Sequence, residues 1–121
     1  MTGSPAPIRV LLVEDSDVYR DSLVFLLGTR SDVDVVDAVP DGASALRAYR
    51  AHEPDVVILD YRLPDVDGAE VAAGIDSAVV FLSASAGREE YDAASSAGAA
   101  LVRKDEGIDA LVRAVRAAAG R

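Results

Sequence analysis

Apolar residues along this chain form two kinds of pattern, short and nearly continuous runs and longer stretches with helical spacing. The nearly continuous runs cover residues 8–13, 33–39, 56–59, 79–82 and 100–102. Arg9 interrupts the first, and Asp34 and Asp37 interrupt the second. Runs of this length that are rich in Val, Ile and Leu predict strands buried on both sides. The sequence therefore predicts five short strands, each separated from the next by a helical segment.

The intervening segments carry apolar residues at helical spacing, and Ser16 and Asp41 are suited to capping the first two helices. Segments 69–75 and 88–97 have weaker helical patterns, and the first of these is unusually short. The positions predicted to face the core are Tyr19, Leu23 and Leu26 in the first helix, Ala45, Leu46 and Tyr49 in the second, and Ile108, Leu111, Val112 and Val115 in the last. Alternating strands and helices predict one α/β domain with helices on both faces of a parallel sheet.

Length, charge and cysteine content limit the possible functions. The 121 residues suffice for one domain, which we assign to residues 8–121, with residues 1–7 as a flexible tail. The net charge of −9 disfavours direct nucleic-acid binding, which needs a basic surface. The absence of cysteine excludes disulfides and thiol nucleophiles. No apolar run approaches the length of a membrane span, so we expect a cytoplasmic protein without a membrane partner.

Reactive polar residues follow four of the predicted strands. Glu14 and Asp15 follow the first strand, Asp60 the third, Ser83 the fourth and Lys104 the fifth. The carboxyl ends of parallel strands meet at one edge of the sheet, where ligands bind. Three carboxylates there repel each other, which favours a hard divalent cation such as Mg²⁺. A hydroxyl and an ammonium beside that ion suit a phosphoryl group, and Asp60 is the preferred nucleophile because it stands alone after an apolar strand.

These motifs resemble those of one known family. "LLVEDS", "VVILDYRLPDVDG", the Ser83-Ala84 pair and Lys104 occur in the order found in receiver domains of bacterial two-component response regulators. The resemblance covers roughly residues 8–119, and "KDE" after the last strand is most similar to receivers of LuxR-type regulators. It implies a flavodoxin-like, doubly wound, five-stranded parallel sheet with the strand order 2-1-3-4-5.

The resemblance also implies a role for each site residue. Asp60 would accept a phosphoryl group from a sensor histidine kinase, and Ser83 and Lys104 would contact that group. The implied Mg²⁺ ligands are Asp60, Asp15, Glu14 mainly through water, and the backbone carbonyl of Arg62. The output would be altered binding to a downstream effector domain or protein, by a monomer or a weak phosphorylation-dependent dimer. Such a domain catalyses its own phosphorylation and dephosphorylation but is not otherwise an enzyme.

Departures from the family pattern leave two alternatives open. Many receivers carry a Tyr or Phe three positions before the lysine, where this chain has Leu101. Together with the short third helix, this keeps open a receiver-like interaction module that does not depend on phosphorylation. The other alternative is an aspartyl-phosphate phosphatase, which usually needs a second acid two residues after the nucleophile. That position holds Arg62, which disfavours the phosphatase alternative.

Overall fold

Five strands and five α-helices alternate along the described part of the chain, residues 6–85 and 87–121 of a computed structural model. The strands are β1 (Ile8–Val13), β2 (Val33–Val39), β3 (Val56–Asp60), β4 (Ala78–Ser83) and β5 (Ala100–Arg103). The helices are α1 (Asp17–Gly28), α2 (Gly42–His52), α3 (Gly68–Ala73), α4 (Arg88–Ser96) and α5 (Ile108–Ala118), and a 3-10 turn (Lys104–Glu106) precedes α5. Most of the predicted flexible tail, residues 1–5, lies outside the described residues. Within the described part, no helix has both the length and the apolar character needed to span a bilayer.

The strands form one parallel sheet in the order β2-β1-β3-β4-β5, which confirms the predicted fold class. The register pairs Val13 with Leu59 and Asp60 with Leu82, so β1, β3 and β4 end at almost the same level. Ser83 pairs with Arg103 at the end of β5. Residues far apart in the chain therefore meet at the carboxyl edge of the sheet.

Successive residues of each strand face opposite sides of the sheet and build two core layers. Val10 and Leu12 point to the layer shared with α1 and α5, whereas Leu11 and Val13 point to the layer under α2, α3 and α4. Phe81 is fully buried in the second layer and meets the ring of Tyr61 edge-on, with the centroids 5.9 Å apart. Both layers hold the strand ends in fixed positions.

The predicted helix caps are confirmed, but one predicted core position is wrong. The backbone N–H groups of Tyr19 and Ser44 donate to the side chains of Ser16 and Asp41 respectively. In α1 the buried partner of Leu23 is Leu27, one turn further on, whereas Leu26 is 37% exposed. The reason is geometric: a step of three residues after Leu23 turns the side chain away from the sheet, and a step of four does not.

The loop after β3 folds back tightly on the end of that strand. The Gly68 N–H donates to the Tyr61 carbonyl at 2.6 Å, and a Cβ at Gly68 would lie only 2.6 Å from the Asp60 carbonyl oxygen. Asp65 in the same loop accepts hydrogen bonds from the Gly42 and Ala43 N–H groups at the start of α2. Glycine is therefore required at position 68, and the loop that follows Asp60 is anchored at both ends.

Candidate functional site

The predicted site residues come together at the carboxyl edge of the sheet. An open pocket of about 220 Å³ is lined there by Asp15, Asp60, Arg62, Ser83, Ala84, Ser85 and Lys104. Glu14 lies beside this pocket and is fully buried. All six residues predicted from the sequence thus belong to one cluster, although they come from the ends of four strands.

Asp60 ends β3 with its carboxylate held from two sides. The N–H of Arg62 donates to Oδ1 at 3.1 Å, and the ammonium of Lys104 donates to Oδ2 at 3.2 Å. The residue is only 5% exposed. Burial, followed by the negative charge of Glu14, raises the pKa of Asp60 to about 6, although Lys104 and the Arg62 N–H act in the opposite direction. Asp60 is therefore a positioned carboxylate whose negative charge is poorly stabilised in the protein alone.

Glu14 and Asp15 provide the other two carboxylates. Oxygen atoms of Glu14, Asp15 and Asp60 all lie within 4.8 Å of one another. In an octahedral Mg²⁺ site, opposite ligands are about 4 Å apart, because each bond is about 2.0–2.1 Å long. Adjacent ligands are closer, about 2.9 Å apart, so the three carboxylates would have to move inward or bind partly through water to hold such an ion. The donor set, made only of hard carboxylate oxygens, fits Mg²⁺.

Lys104 is the counter-charge of this acidic cluster. Its Nζ lies 2.6 Å from Glu14 Oε1, without the angles of a well-formed hydrogen bond, and 3.2 Å from Asp60 Oδ2. Burial opposes the charged ammonium, but the short contact with Glu14 and the charge of Asp60 outweigh it, so the pKa of Lys104 is raised. Lys104 therefore stays protonated and ready to pair with an anion at Asp60.

The Ser83 hydroxyl is engaged with the backbone and not with Asp60 in this structure. The residue is buried at the end of β4, and its Oγ donates to the backbone carbonyl of Ser85. To donate to a group on Asp60, the hydroxyl has to give up this hydrogen bond. The sequence predicts Ser83 at the pocket, and the structure adds that its hydroxyl is already occupied by a backbone carbonyl there.

The backbone of Arg62 faces Asp60, whereas its side chain extends toward α4. Its Nη2 lies 3.3 Å from Oε1 of Glu90, a buried residue in the first turn of α4, and the guanidinium stacks 5.7 Å from the centre of the Tyr61 ring. Glu90 also accepts a hydrogen bond from the Gly87 N–H at 2.9 Å. Nothing in the sequence indicates this link, since no short-range pattern connects residues 62 and 90. The proposed ligand role of the Arg62 carbonyl stays a prediction.

Tyr19 is a second residue that lies at the site although its sequence pattern indicates only a core position. It was predicted only as a core residue, yet the centre of its ring lies 4.9 Å from Nζ of Lys104. The available signal was its position: Tyr19 lies in the first turn of α1, directly after the strand end that carries Glu14 and Asp15.

The chemistry of this arrangement is well defined. A buried carboxylate, two neighbouring acids able to hold a cation, and an ammonium together match the needs of phosphoryl transfer to Asp60. In such a transfer the carboxylate would supply the nucleophile, and the ammonium and a bound cation would offset charge on the transferred group. The open pocket gives a donor direct access to the acceptor.

Comparisons with known proteins agree with this chemistry. The chain matches the family model of the response regulator receiver domain over residues 10–116. The "Probable transcriptional regulatory protein NarL" of Mycobacterium tuberculosis is 38% identical over 120 residues, covering 92% of this chain and 54% of that protein. The chain thus spans about half the length of that relative.

Two solved structures extend the similarity to three dimensions. The signal receiver domain of NarL from Mycobacterium tuberculosis has a TM-score of 0.88 at 36% identity, covering 97% of this chain and 100% of that one. A LuxR-family two-component response regulator from Aurantimonas sp. SI85-9A1 has a TM-score of 0.88 at 31% identity, covering 96% of this chain and 88% of the other. Sequence and structure comparisons therefore point to the same family.

Proposed function

Because this chain belongs to the family of response regulator receiver domains, we propose that it is a signalling switch in which Asp60 accepts a phosphoryl group. The observation that carries the proposal is the setting of Asp60 at the end of β3. Its carboxylate is buried and held between the Arg62 N–H and the Lys104 ammonium, beside two further acids. A sensor histidine kinase is the proposed donor.

The proposed reaction is a transfer of the phosphoryl group to an oxygen of Asp60. That oxygen forms a bond to phosphorus while the bond between phosphorus and the donor breaks, and the donor leaves with the electron pair. Lys104 is placed to pair with a phosphoryl oxygen, and Ser83 donates its hydroxyl to another after giving up its hydrogen bond to the Ser85 carbonyl. The chain thus catalyses its own phosphorylation by holding the acceptor and the groups that offset its charge.

Magnesium is the proposed cofactor of this step. Glu14, Asp15 and Asp60 would hold the ion, with the carbonyl of Arg62 as a further proposed ligand. When bound, Mg²⁺ supplies positive charge for the carboxylate cluster and for the transferred group. The meeting of three carboxylates supports this proposal, and the pKa of Asp60, raised first by burial and then by the charge of Glu14, agrees with it.

Phosphorylation is proposed to act by changing the binding of a downstream effector, in the same polypeptide or a separate one. A phosphoryl group adds negative charge at Asp60 and draws Ser83 and Lys104 toward it. The relative NarL is named as a transcriptional regulatory protein. For this domain itself we propose no direct contact with nucleic acid, because its net charge is −9.

Neither alternative function has a specific observation in its favour. A phosphatase would need an acid near the nucleophile for proton transfer, but the position two residues after Asp60 holds Arg62, whose guanidinium pairs with Glu90. A module that does not use phosphate would have no need for the cluster of Glu14, Asp15, Asp60 and Lys104.

Phosphoryl transfer from a small donor tests the proposal directly. In acetyl phosphate and Mg²⁺, the wild type should gain the mass of one phosphoryl group and Asp60→Asn should gain none, because the amide is not a nucleophile. Asp67→Asn is the matched control: Asp67 is exposed, lies in the same loop and makes no side-chain cap hydrogen bond. It should be labelled like the wild type. Intact mass spectrometry is the measurement, and equal labelling of Asp60→Asn and wild type would refute the assignment.

A further inference from the structure

The pocket lysine has an uncharged partner that the phosphoryl-transfer scheme does not use. Nζ of Lys104 lies 4.9 Å from the centre of the Tyr19 ring, within the distance of a cation–π contact. Tyr19 is partly buried and packs against the core layer of α1 and α5. Its ring and the lysine also share the wall of a cavity of about 110 Å³ between these helices. The lysine therefore reaches the pocket along an aromatic surface.

The other two contacts of the ammonium are with carboxylates. Its partners Glu14 and Asp60 are both proposed ligands of Mg²⁺. Once a divalent cation lies among these acids, their attraction for the ammonium weakens and the cation repels it. Charge alone would then release Lys104 from the pocket at the moment when a phosphoryl group needs it. The face of Tyr19 is the one of these three contacts that a cation at the acids leaves intact.

The ring is held in place by the first turn of α1. The Tyr19 N–H donates to Ser16 Oγ at 3.3 Å, and the Ser16 N–H donates to Glu14 Oε2 at 2.8 Å. The guanidinium of Arg20 donates to the backbone carbonyl of Glu14 at 2.8 Å. The start of α1 is thus tied to the site through Glu14, and the position of the ring follows that of the pocket.

We propose that Tyr19 is a positioning residue that keeps the Lys104 ammonium at the pocket through the face of its ring when a cation occupies the acids. The inference rests on the proposed function of Asp60 and adds a residue to it. It assigns the role to the aromatic face and not to the phenol hydroxyl, so phenylalanine should replace tyrosine and leucine should not.

Nuclear magnetic resonance of the lysine gives a direct test, because Lys104 is the sole lysine in the sequence. In protein labelled with ¹³C-lysine, its ε-methylene protons should be shifted upfield by the ring. The shift should persist in Tyr19→Phe and disappear in Tyr19→Leu. In the wild type it should also persist when Mg²⁺ is added to saturation. An unshifted signal in the wild type, or loss of the shift on adding Mg²⁺, would overturn the proposal without any variant having to fold.

The rate of phosphorylation by acetyl phosphate provides the functional readout. With saturating Mg²⁺, Tyr19→Phe should react within about twofold of the wild type, and Tyr19→Leu roughly three- to tenfold more slowly. Phe25→Leu is the matched control, since Phe25 lies on the same helix and is 72% exposed. It should react at the wild-type rate.

The outcomes separate the two proposals. If the wild type takes up no phosphoryl group, the proposed function of Asp60 fails. If the wild type is labelled and Tyr19→Leu reacts equally fast, only the role of Tyr19 is overturned. The role of the ring face is overturned as well if Tyr19→Phe is as slow as Tyr19→Leu, because the hydroxyl would then be the active part.

Discussion

At the residue scale, the site depends on a carboxylate, Asp60, whose ionised form is destabilised by its position in the fold. Asp60 is buried, and its nearest like charge, Glu14, is fully buried as well. Lys104 contacts both but does not balance two negative charges. The metal-free protein therefore keeps a repulsion that a cation or a proton at Asp60 relieves.

Burial of Asp60, together with this repulsion, predicts a pH-dependent gain in stability for Asp60→Asn. Since the pKa of Asp60 rises from 3.8 to about 6 on folding, the folded state binds more protons than the unfolded state between those values. The wild type therefore loses stability as pH rises from about 4 to about 6. In metal-free buffer at pH 7, Asp60→Asn should unfold with a free energy about 1–3 kcal/mol higher than the wild type.

Urea denaturation in the presence of a chelator, from pH 4 to pH 8, measures this difference. The higher unfolding free energy of Asp60→Asn should shrink toward the wild-type value as the pH falls to 4, where the folded wild type also has a neutral side chain at position 60. Asp67→Asn, in the same loop but exposed, should show no such trend. A difference in unfolding free energy between wild type and Asp60→Asn that stays constant with pH would contradict the raised pKa of Asp60.

At the element scale, α4 is linked to the pocket by side chains near its start. Arg62 reaches Glu90 in the first turn, and Glu90 binds the Gly87 N–H, so the loop after β3 is tied to the start of α4. On the neighbouring strand, Leu101 is partly buried against the core layer beneath α4. It lacks the polar atom that would favour an exposed orientation, so it provides no second stable position.

Because Leu101 has no second stable position, we expect a phosphoryl group at Asp60 to change the structure strongly at the pocket and only weakly along α4. With Mg²⁺ and a beryllium fluoride mimic of the phosphoryl group, amide shifts should be large near Asp60 and Ser83. Changes along Arg88–Ser96 should be small. Leu101→Tyr is the comparison variant, because its ring favours a buried orientation and its hydroxyl an exposed one, and it should increase the response of α4. Equally large shifts in α4 and around Asp60 in the wild type would refute this expectation.

At the scale of the whole molecule, the site exists only when the sheet is assembled. Its acids come from the ends of β1 and β3, its hydroxyl from β4 and its ammonium from the residue after β5. The molecule also carries a net charge of −9. Binding a divalent cation at this edge should therefore stabilise the entire fold, because the unfolded chain does not bring these acids together.

The two acids after β1 should contribute unequally to this metal-linked stability. Asp15 is exposed toward the pocket, whereas Glu14 is buried and engaged with Lys104 and the Ser16 N–H. Asp15→Asn should weaken Mg²⁺ binding by roughly tenfold or more and Glu14→Gln by less, because a direct ligand contributes more than one acting through water. Titration calorimetry supplies the affinities, and undiminished binding to Asp15→Asn would contradict the predicted ligand set.

Much of this architecture is encoded locally. The five apolar runs predict the five strands to within one residue at each end, because strands covered by helices on both faces carry mostly apolar residues. Ser16 and Asp41 predict the helix starts, because a cap acts within three residues. Glu14, Asp15, Asp60, Ser83 and Lys104 are apparent as polar residues directly after those runs. Their meeting at one edge then follows from the parallel sheet.

Tertiary packing decided what local patterns do not encode. The rotation of α1 about its axis, which buries Leu27 in place of Leu26, depends on the sheet beneath it. The direction of each long side chain depends on partners distant in sequence: Lys104 runs over Tyr19 to Glu14 and Asp60, and Arg62 turns to Glu90. The short-range spacing of residues determines which ones reach the site. The contacts between elements determine which atoms they present there, because a rotamer is selected by the surfaces that close around it.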